Sequence, residues 1–268
     1  MSRTIVVTSG KGGVGKSSMT INLGYALASQ GQKVCLIDAD FGLKNLDVMM
    51  GLENRVIYDL NDVISNKCSL KQILVKDKRM DSLYLLPACK SLSFENLNVD
   101  YMMKMIEQLK NEFDFILIDS PAGIEKGFQY ASGLSQEAII VVTLDVVSLR
   151  DADRVVGLLL KQGVTNLHML VNKYNDEDIH KGRSLTLKDA YDILSIPLLG
   201  LVYDDHEMLE ANNKGMPIYL QKNLSISGCF DRIIKRLDGQ EVPFQKIRKN
   251  RCLKEYLDNN FIFFHKYR

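Results

Sequence analysis

Gly10-Lys11-Gly12-Gly13-Val14-Gly15-Lys16-Ser17 is the stretch on which the fold turns. The apolar run Ile5-Val6-Val7 leads into it, and a helix-like run over 17–29 follows. Strand, glycine loop, helix is the setting in which G-x-x-x-x-G-K-[ST] forms a phosphate cradle. Glycines let the backbone turn tightly and aim several N–H groups at phosphate oxygens. The N-terminus of the following helix adds partial positive charge. In this pattern Lys16 neutralises the β- and γ-phosphates and the Ser17 hydroxyl binds Mg²⁺. The expected nucleotide-binding residues are therefore Gly10, Lys11, Gly12, Gly13, Val14, Gly15, Lys16, Ser17 and Ser18.

The totals describe an ordinary globular chain. It has 268 residues, 46% hydrophobic and 25% charged, enough for one large α/β domain with a full core. The net charge of +1 gives no global field for nucleic acid, and DNA is not an expected partner. Cys35, Cys68, Cys89, Cys229 and Cys252 are scattered without a C-x-x-C, which suits reduced thiols in a cytosol-like compartment. That compartment is bacterial, or lies inside an organelle that encodes the chain. A strand begins almost at once, so neither a signal nor a transit peptide is expected. No run approaches the roughly 18–20 apolar residues of a membrane span.

Short apolar runs recur at 5–8, 34–37, 83–86, 115–118, 139–143, 169–171 and 198–202. Each reads as a strand buried on both faces. Helical stretches at 17–30, 98–112, 151–162, 187–194, 205–214 and 226–237 lie between them. This alternation predicts an α/β fold, a doubly wound, mostly parallel sheet with helices on both faces. The expected division is a P-loop domain over 1–242 and a basic tail over 243–268.

The carboxyl ends of such strands carry the ligands. The second strand ends in Asp38-Ala39-Asp40, which places two carboxylates beside the glycine loop. Mg²⁺ needs oxygen ligands, often through water, and hydrolysis needs an oriented water. Phe115-Ile116-Leu117-Ile118-Asp119 is an apolar strand ending in a carboxylate, a Walker B pattern in which Asp119 holds Mg²⁺ through water. Ser17, Asp38 and Asp119 are thus the candidate metal residues. Asp145 to Arg154 reads equally as a charged helix start, with aspartates near the positive dipole end. In Val171-Asn172-Lys173-Tyr174-Asn175, Asn175 stands where a guanine reader would place Asp, which favours ATP.

Lys11, directly after the first glycine, makes the loop resemble the deviant Walker A ATPases, with K-G-G-x-G-K-[ST]. The stretches 47–60, 74–79 and 83–88 resemble the MinD family of septum-site-determining ATPases within the ParA/MinD group. The resemblance spans about 2–240 and implies a SIMIBI-type P-loop NTPase, an Mg-dependent ATPase. It implies that Lys11 reaches across a homodimer to the partner's nucleotide and that Asp40 orients the attacking water. The implied catalytic set is Lys11, Lys16 and Asp40. Pro121 and Gly123 fall in the family's switch II, and Asp145 and Asp151 match the positions that hold the early lysine without nucleotide. MinD proteins often carry Glu where Asp145 stands. Asn172 matches a residue that contacts adenine, and Tyr203-Asp204-Asp205 replaces the usual Pro-Glu-Asp. His206 is expected as a solvated helix residue.

The family also implies a division inhibitor of the MinC kind, a regulator of the MinE kind, and a membrane-binding tail. From Phe244 on, the tail carries net +5 against −4 for the remainder. Leu253, Tyr256, Leu257, Phe261 and Phe264 share one helical face, so an anionic membrane surface is an expected partner. Glu255, Asp258, Asn259 and Asn260 interrupt that pattern, which also fits a tail helix packed on the domain or a frayed basic end. The expected location is the cytoplasm and the cytoplasmic face of the inner membrane. The alternatives are a partition or flagellar-placement ATPase acting on DNA or another polar cargo, a nitrogenase-type iron protein, and a nucleotide-binding scaffold. The iron protein would need cluster-ligating cysteines, and none follows Asp119 before Cys229.

Overall fold

The computed structural model describes residues 2–40, 46–89, 99–221 and 224–244. The tail stripe from Leu253 to Phe264 lies outside the described residues. In chain order the elements are β1 (Arg3–Thr8), α1 (Lys16–Ser29), β2 (Val34–Asp38), α2 (Leu46–Met49), α3 (Leu60–Ile64), α4 (Leu70–Ile73), β3 (Val75–Lys76), β4 (Leu83–Leu86) and α5 (Val99–Lys110). They continue with β5 (Phe115–Asp119), α6 (Lys126–Gly133), β6 (Glu137–Val142), α7 (Val146–Lys161), β7 (Asn166–Tyr174), α8 (Asp176–His180), α9 (Leu187–Leu194), β8 (Leu198–Tyr203), α10 (His206–Asn213) and α11 (Leu224–Leu237).

The strands form one eight-stranded sheet in the order β3-β4-β2-β5-β1-β6-β7-β8. Every pairing is parallel except β3 with β4. The doubly wound α/β fold is therefore as expected. Alternation along β1 shows why its run had to be continuously apolar. Ile5 and Val7 enter a core shared with α1 and α11, while Val6 enters the opposite core with α5, α6 and α7. Register then does the functional work. Val7 pairs with Asp119, and Asp38 pairs with Asp119, so β1, β2 and β5 end together.

Two expectations shift. The helix expected at 151 begins at Val146, because the Asp145 side chain caps it by accepting the Ser148 N–H at 2.9 Å. The two-residue edge strand β3 and the short helices between β2 and β3 escaped the apolar pattern. They carry one or two buried side chains each, too few to show a period.

After α11, Arg236 gathers residues 242–244. Its guanidinium donates to the carbonyls of Leu199 (2.9 Å), Val242 (3.0 Å) and Pro243 (3.1 Å) and lies 3.9 Å from the Phe244 ring centroid. Burial, with nearby Arg232, lowers this guanidinium to about 10. Pro243 and Phe244, the start of the expected tail, are thus held on the domain. Among the described residues, no helix is long and apolar enough to cross a membrane.

At the amino end of the sheet, Glu137 accepts from Arg3 Nε and Nη2 (2.7 and 2.6 Å) and from Asn166 Nδ2 (2.8 Å). Removing this carboxylate leaves the part-buried guanidinium with the Leu237 carbonyl (2.9 Å) and the more distant Asp238 (3.6 Å). Glu137→Ala is expected to cost about 2–3 kcal/mol, less than the ~3–5 of a wholly buried pair because Arg3 keeps some contact with water. Urea denaturation should show a lowered midpoint at an unchanged slope.

Candidate nucleotide site

The glycine loop leaves β1 and enters α1 at the carboxyl end of the sheet. Gly13 (φ +77) and Gly15 (φ +92) occupy the left-handed region, where a side chain would be strained. Gly10 is required for a different reason. A Cβ there would sit 2.4 Å from the backbone carbon of Asp151, so α7 packs directly on the loop. Gly12 has open space around it.

The Asp119 carboxylate is fully buried and collects three donors. Lys16 Nζ lies 3.2 Å from Oδ1, Ser17 Oγ donates to Oδ2 at 2.6 Å, and Thr20 Oγ1 donates to Oδ1 at 3.1 Å. Lys16 is 8% exposed. Thr20 was not anticipated; the signal is a polar residue one turn beyond Lys16 on the buried side of α1. This donor set fits Mg²⁺. Hydroxyl and carboxylate oxygens stand together, and among the described residues no group of three His, Cys, Asp or Glu could hold a metal by itself. Mg²⁺ is usually bound in that way, by one or two protein oxygens with water and substrate phosphate.

Asp38 is buried, and its oxygens accept the N–H groups of Asp40 (3.1 Å) and Leu46 (3.2 Å). It organises the backbone on both sides of 41–45. Asp40 is part-buried; desolvation pushes its carboxyl above the ordinary range, Lys16 opposes the shift and Asp119 adds to it. The stretch 120–123 is tied to the same strand end. Ser120 Oγ donates to Thr8 Oγ1 at 2.9 Å, and the Gly123 N–H (φ +91) donates to the Ser9 carbonyl at 3.1 Å. Pro121 is partly exposed beside them.

Lys11 Nζ donates to Asp145 Oδ1 at 3.2 Å, with both side chains more than two-fifths exposed. Burial alone would raise the Asp145 carboxyl. Hydrogen bonds from the Thr143 hydroxyl, the Ser148 N–H and Lys11 outweigh it and hold the group below the ordinary range. Asp151 does not share this lysine. Its carboxylate faces Arg154 at 3.9 Å, and its backbone supports Gly10.

The end of β7 buttresses the loop. Asn172 Nδ2 donates to the Val14 carbonyl at 2.7 Å and lies where a Cβ on Gly15 would fall. Lys173 adopts a left-handed φ of 53 and donates Nζ to the Gly13 carbonyl at 3.1 Å. Sequence reading assigned Asn172 to the base and Lys173 to nothing. In this structure both side chains hold loop carbonyls. On the other side, Asn212 Nδ2 of α10 donates to Ser18 Oγ at 2.8 Å, so Ser18 anchors α10 to the phosphate loop. His206 opens α10 and is exposed, as expected.

Residues 1–238 match a family model described as ParA: NUBPL iron-transfer P-loop NTPase. The septum site-determining protein MinD of Synechocystis sp. is 47% identical over 91% of this chain and 92% of its own length. A solved MinC:MinD cell division protein complex from Aquifex aeolicus matches with a TM-score of 0.85 and 42% identity, covering 91% of this chain and 99% of that one. The septum site-determining protein MinD of Pyrococcus horikoshii, solved with Mg-ADP, matches with a TM-score of 0.78 and 29% identity, covering 89% and 96%.

The two perturbed carboxyls offer a direct check. Carboxyl-carbon NMR titration should place the Asp145 midpoint below the ordinary aspartate range and that of Asp40 above it. Lys11→Met should move the Asp145 midpoint upward, because a lowering influence is lost while the burial remains.

Proposed function

The chain belongs to the MinD group of ParA-type P-loop ATPases, and on that footing we propose that it is an ATP-driven switch that dimerises and holds a membrane surface while it places the division site. It is an Mg²⁺-dependent ATPase that acts in division-site placement with an inhibitor of the MinC kind. The observation that carries the switch is Lys11. A lysine of the phosphate loop is held by a half-exposed carboxylate of its own chain, in a contact that water screens and that is readily exchanged.

Lys16 and the loop N–H groups bind the β- and γ-phosphates. Ser17, Asp119 through water, and the neighbouring Asp38 would hold Mg²⁺, which neutralises charge on the phosphate oxygens. Asp40 orients the attacking water. Its raised pKa favours proton acceptance, since a carboxylate with a higher pKa is the stronger base. Lys11, released from Asp145, reaches the nucleotide of a second copy and compensates charge that develops on the leaving phosphate. Asn172 reads adenine from its place behind Gly15. Gly123 gives switch II the freedom to follow the γ-phosphate and relax after hydrolysis.

Dimerisation pairs two basic tails, and two weak anchors bind a surface far better than one. A regulator of the MinE kind speeds hydrolysis and returns the protein from the cytoplasmic face of the inner membrane. The domain that switches ends near residue 242, and the anchor is 243–268.

Sedimentation with anionic vesicles tests the whole. Pelleting should require ATP, fall with ADP, and disappear without residues 244–268. Equal pelleting in every nucleotide state overturns the switch. The pH profile tests the chemistry. Asp40 works ionised and its pKa is raised, so the acid fall in ATP turnover should begin above the ordinary carboxylate range. Asp40→Ala should lose about 10²–10⁴-fold in kcat.

A further inference from the structure

Away from the phosphates, one guanidinium joins three segments that flank the site. The two hydrogens of Arg79 Nη2 are shared among three acceptors, the Met50 carbonyl (2.6 Å), the Tyr25 hydroxyl (2.6 Å) and Asp77 Oδ2 (3.1 Å). Its Nη1 donates to the Gly215 carbonyl at 3.0 Å. Tyr25 lies on α1 and is fully buried, and Asp77 is 3% exposed. Burial and Asp77 push the Tyr25 hydroxyl up, so it keeps its proton and donates to Asp77 at 2.6 Å.

From Met50 the contacts run without a gap to the aspartate pair. The Met50 N–H donates to the Leu46 carbonyl (2.9 Å), the Leu46 N–H to Asp38 Oδ2 (3.2 Å), and the Asp40 N–H to Asp38 Oδ1 (3.1 Å). From Gly215 a second path returns to the loop. The next residue's N–H, that of Met216, donates to the Ala211 carbonyl in α10 (3.0 Å), and the adjacent Asn212 donates to Ser18. Gly51 and Gly215, both at positive φ, let the two paths touch. A Cβ on Gly51 would lie 2.8 Å from the Gly215 oxygen.

We infer that Arg79 is a positioning residue for hydrolysis, fixing α2 against α1 and the segment after α10 so that Asp38 holds Asp40 in register with Lys16 and Ser17. This rests on the assignment of Asp40 to the attacking water. A planar fork with several donors can serve two carbonyls, a hydroxyl and a carboxylate together, which an ammonium cannot do in the same geometry. None of the four residues that Arg79 contacts is assigned to the nucleotide, so its loss should act more on turnover than on binding.

The test is Mg-ATP hydrolysis by the full-length chain, with active sites counted by nucleotide-binding stoichiometry. Arg79→Lys should lower kcat per active site by roughly tenfold with KM changed less than about twofold, the pattern of an interaction used in the transition state. Arg79→Met should lose more, so that lysine restores part of the rate. Tyr25→Phe, which keeps the guanidinium and both carbonyl links, should lose less than either. A purely structural role predicts a lower melting temperature with kcat per active site unchanged, and that result overturns the inference. Should neither Arg79 variant fold, Tyr25→Phe decides: a kcat per active site equal to that of the parent overturns it. Asp40→Ala separates the two claims. If it retains activity, the assignment of Asp40 fails. If it loses activity while Arg79→Lys does not, only the role of Arg79 fails.

Discussion

The Asp119 carboxylate has no exposed surface and is compensated by an ammonium and two hydroxyls, all from the first helical turns after the glycine loop. An uncompensated charge in that position would cost several kcal/mol, so the strand cannot end there unless α1 is seated above it. The converse also holds. Lys16 is nearly buried, and its charge is tolerable because Asp119 is beside it. The pairing of β5 with both β1 and β2 brings the glycine loop, Asp38 and Asp119 to one place, and the continuous apolar character of those strands makes that pairing stable. Folding and ligand binding therefore draw on the same contacts. Ser17 donates to Asp119, and the same oxygens suit a hydrated Mg²⁺.

Asp145 shows how one residue serves two ends. Its carboxylate caps α7 through Ser148 and at the same time faces Lys11. The helix start fixes the carboxylate, and Lys11 meets it from a long, half-exposed side chain. The helix cap and the lysine contact thus meet at one oxygen, Asp145 Oδ1, while the Thr143 hydroxyl occupies Oδ2. The lysine can leave without unfolding the helix, because the cap does not depend on it. Asp151 has no such freedom, since its backbone is packed against Gly10.

How much of this was legible depended on whether the signal was local. The glycine loop, the apolar strands and their terminal carboxylates are contiguous in sequence and were read directly. Asn172, Lys173 and Asn212 act on the loop across long sequence separations, and nothing in their neighbourhoods marks the carbonyl or hydroxyl each one meets. Lys173 in particular is an ordinary lysine until the left-handed turn at the end of β7 aims it at Gly13. Arg79 is the extreme case. It follows a two-residue edge strand with no period to read, and its partners come from residues 25, 50, 77 and 215.

The two ends of the sheet are built to different standards, and the contrast explains how a switch can sit on a stable fold. At the amino end, Arg3, Glu137 and Asn166 interlock, and desolvation lowers the pKa of the nearby, partly buried His168. The Arg3 guanidinium, the Glu137 carboxylate and the Asn166 amide are paired there in a fixed geometry. At the carboxyl end the pairs are of two kinds. Buried ones, such as Asp119 with Lys16, fix the glycine loop and α1 against the end of β5. Exposed ones, such as Lys11 with Asp145, contribute little to stability because water and salt screen them. A contact that contributes little can be exchanged for another at small cost, which is the physical requirement for the exchange of partners proposed for Lys11. With the rigid network at one end of the strands and the weakly held pair at the other, the proposed exchange would leave intact the core that positions the site.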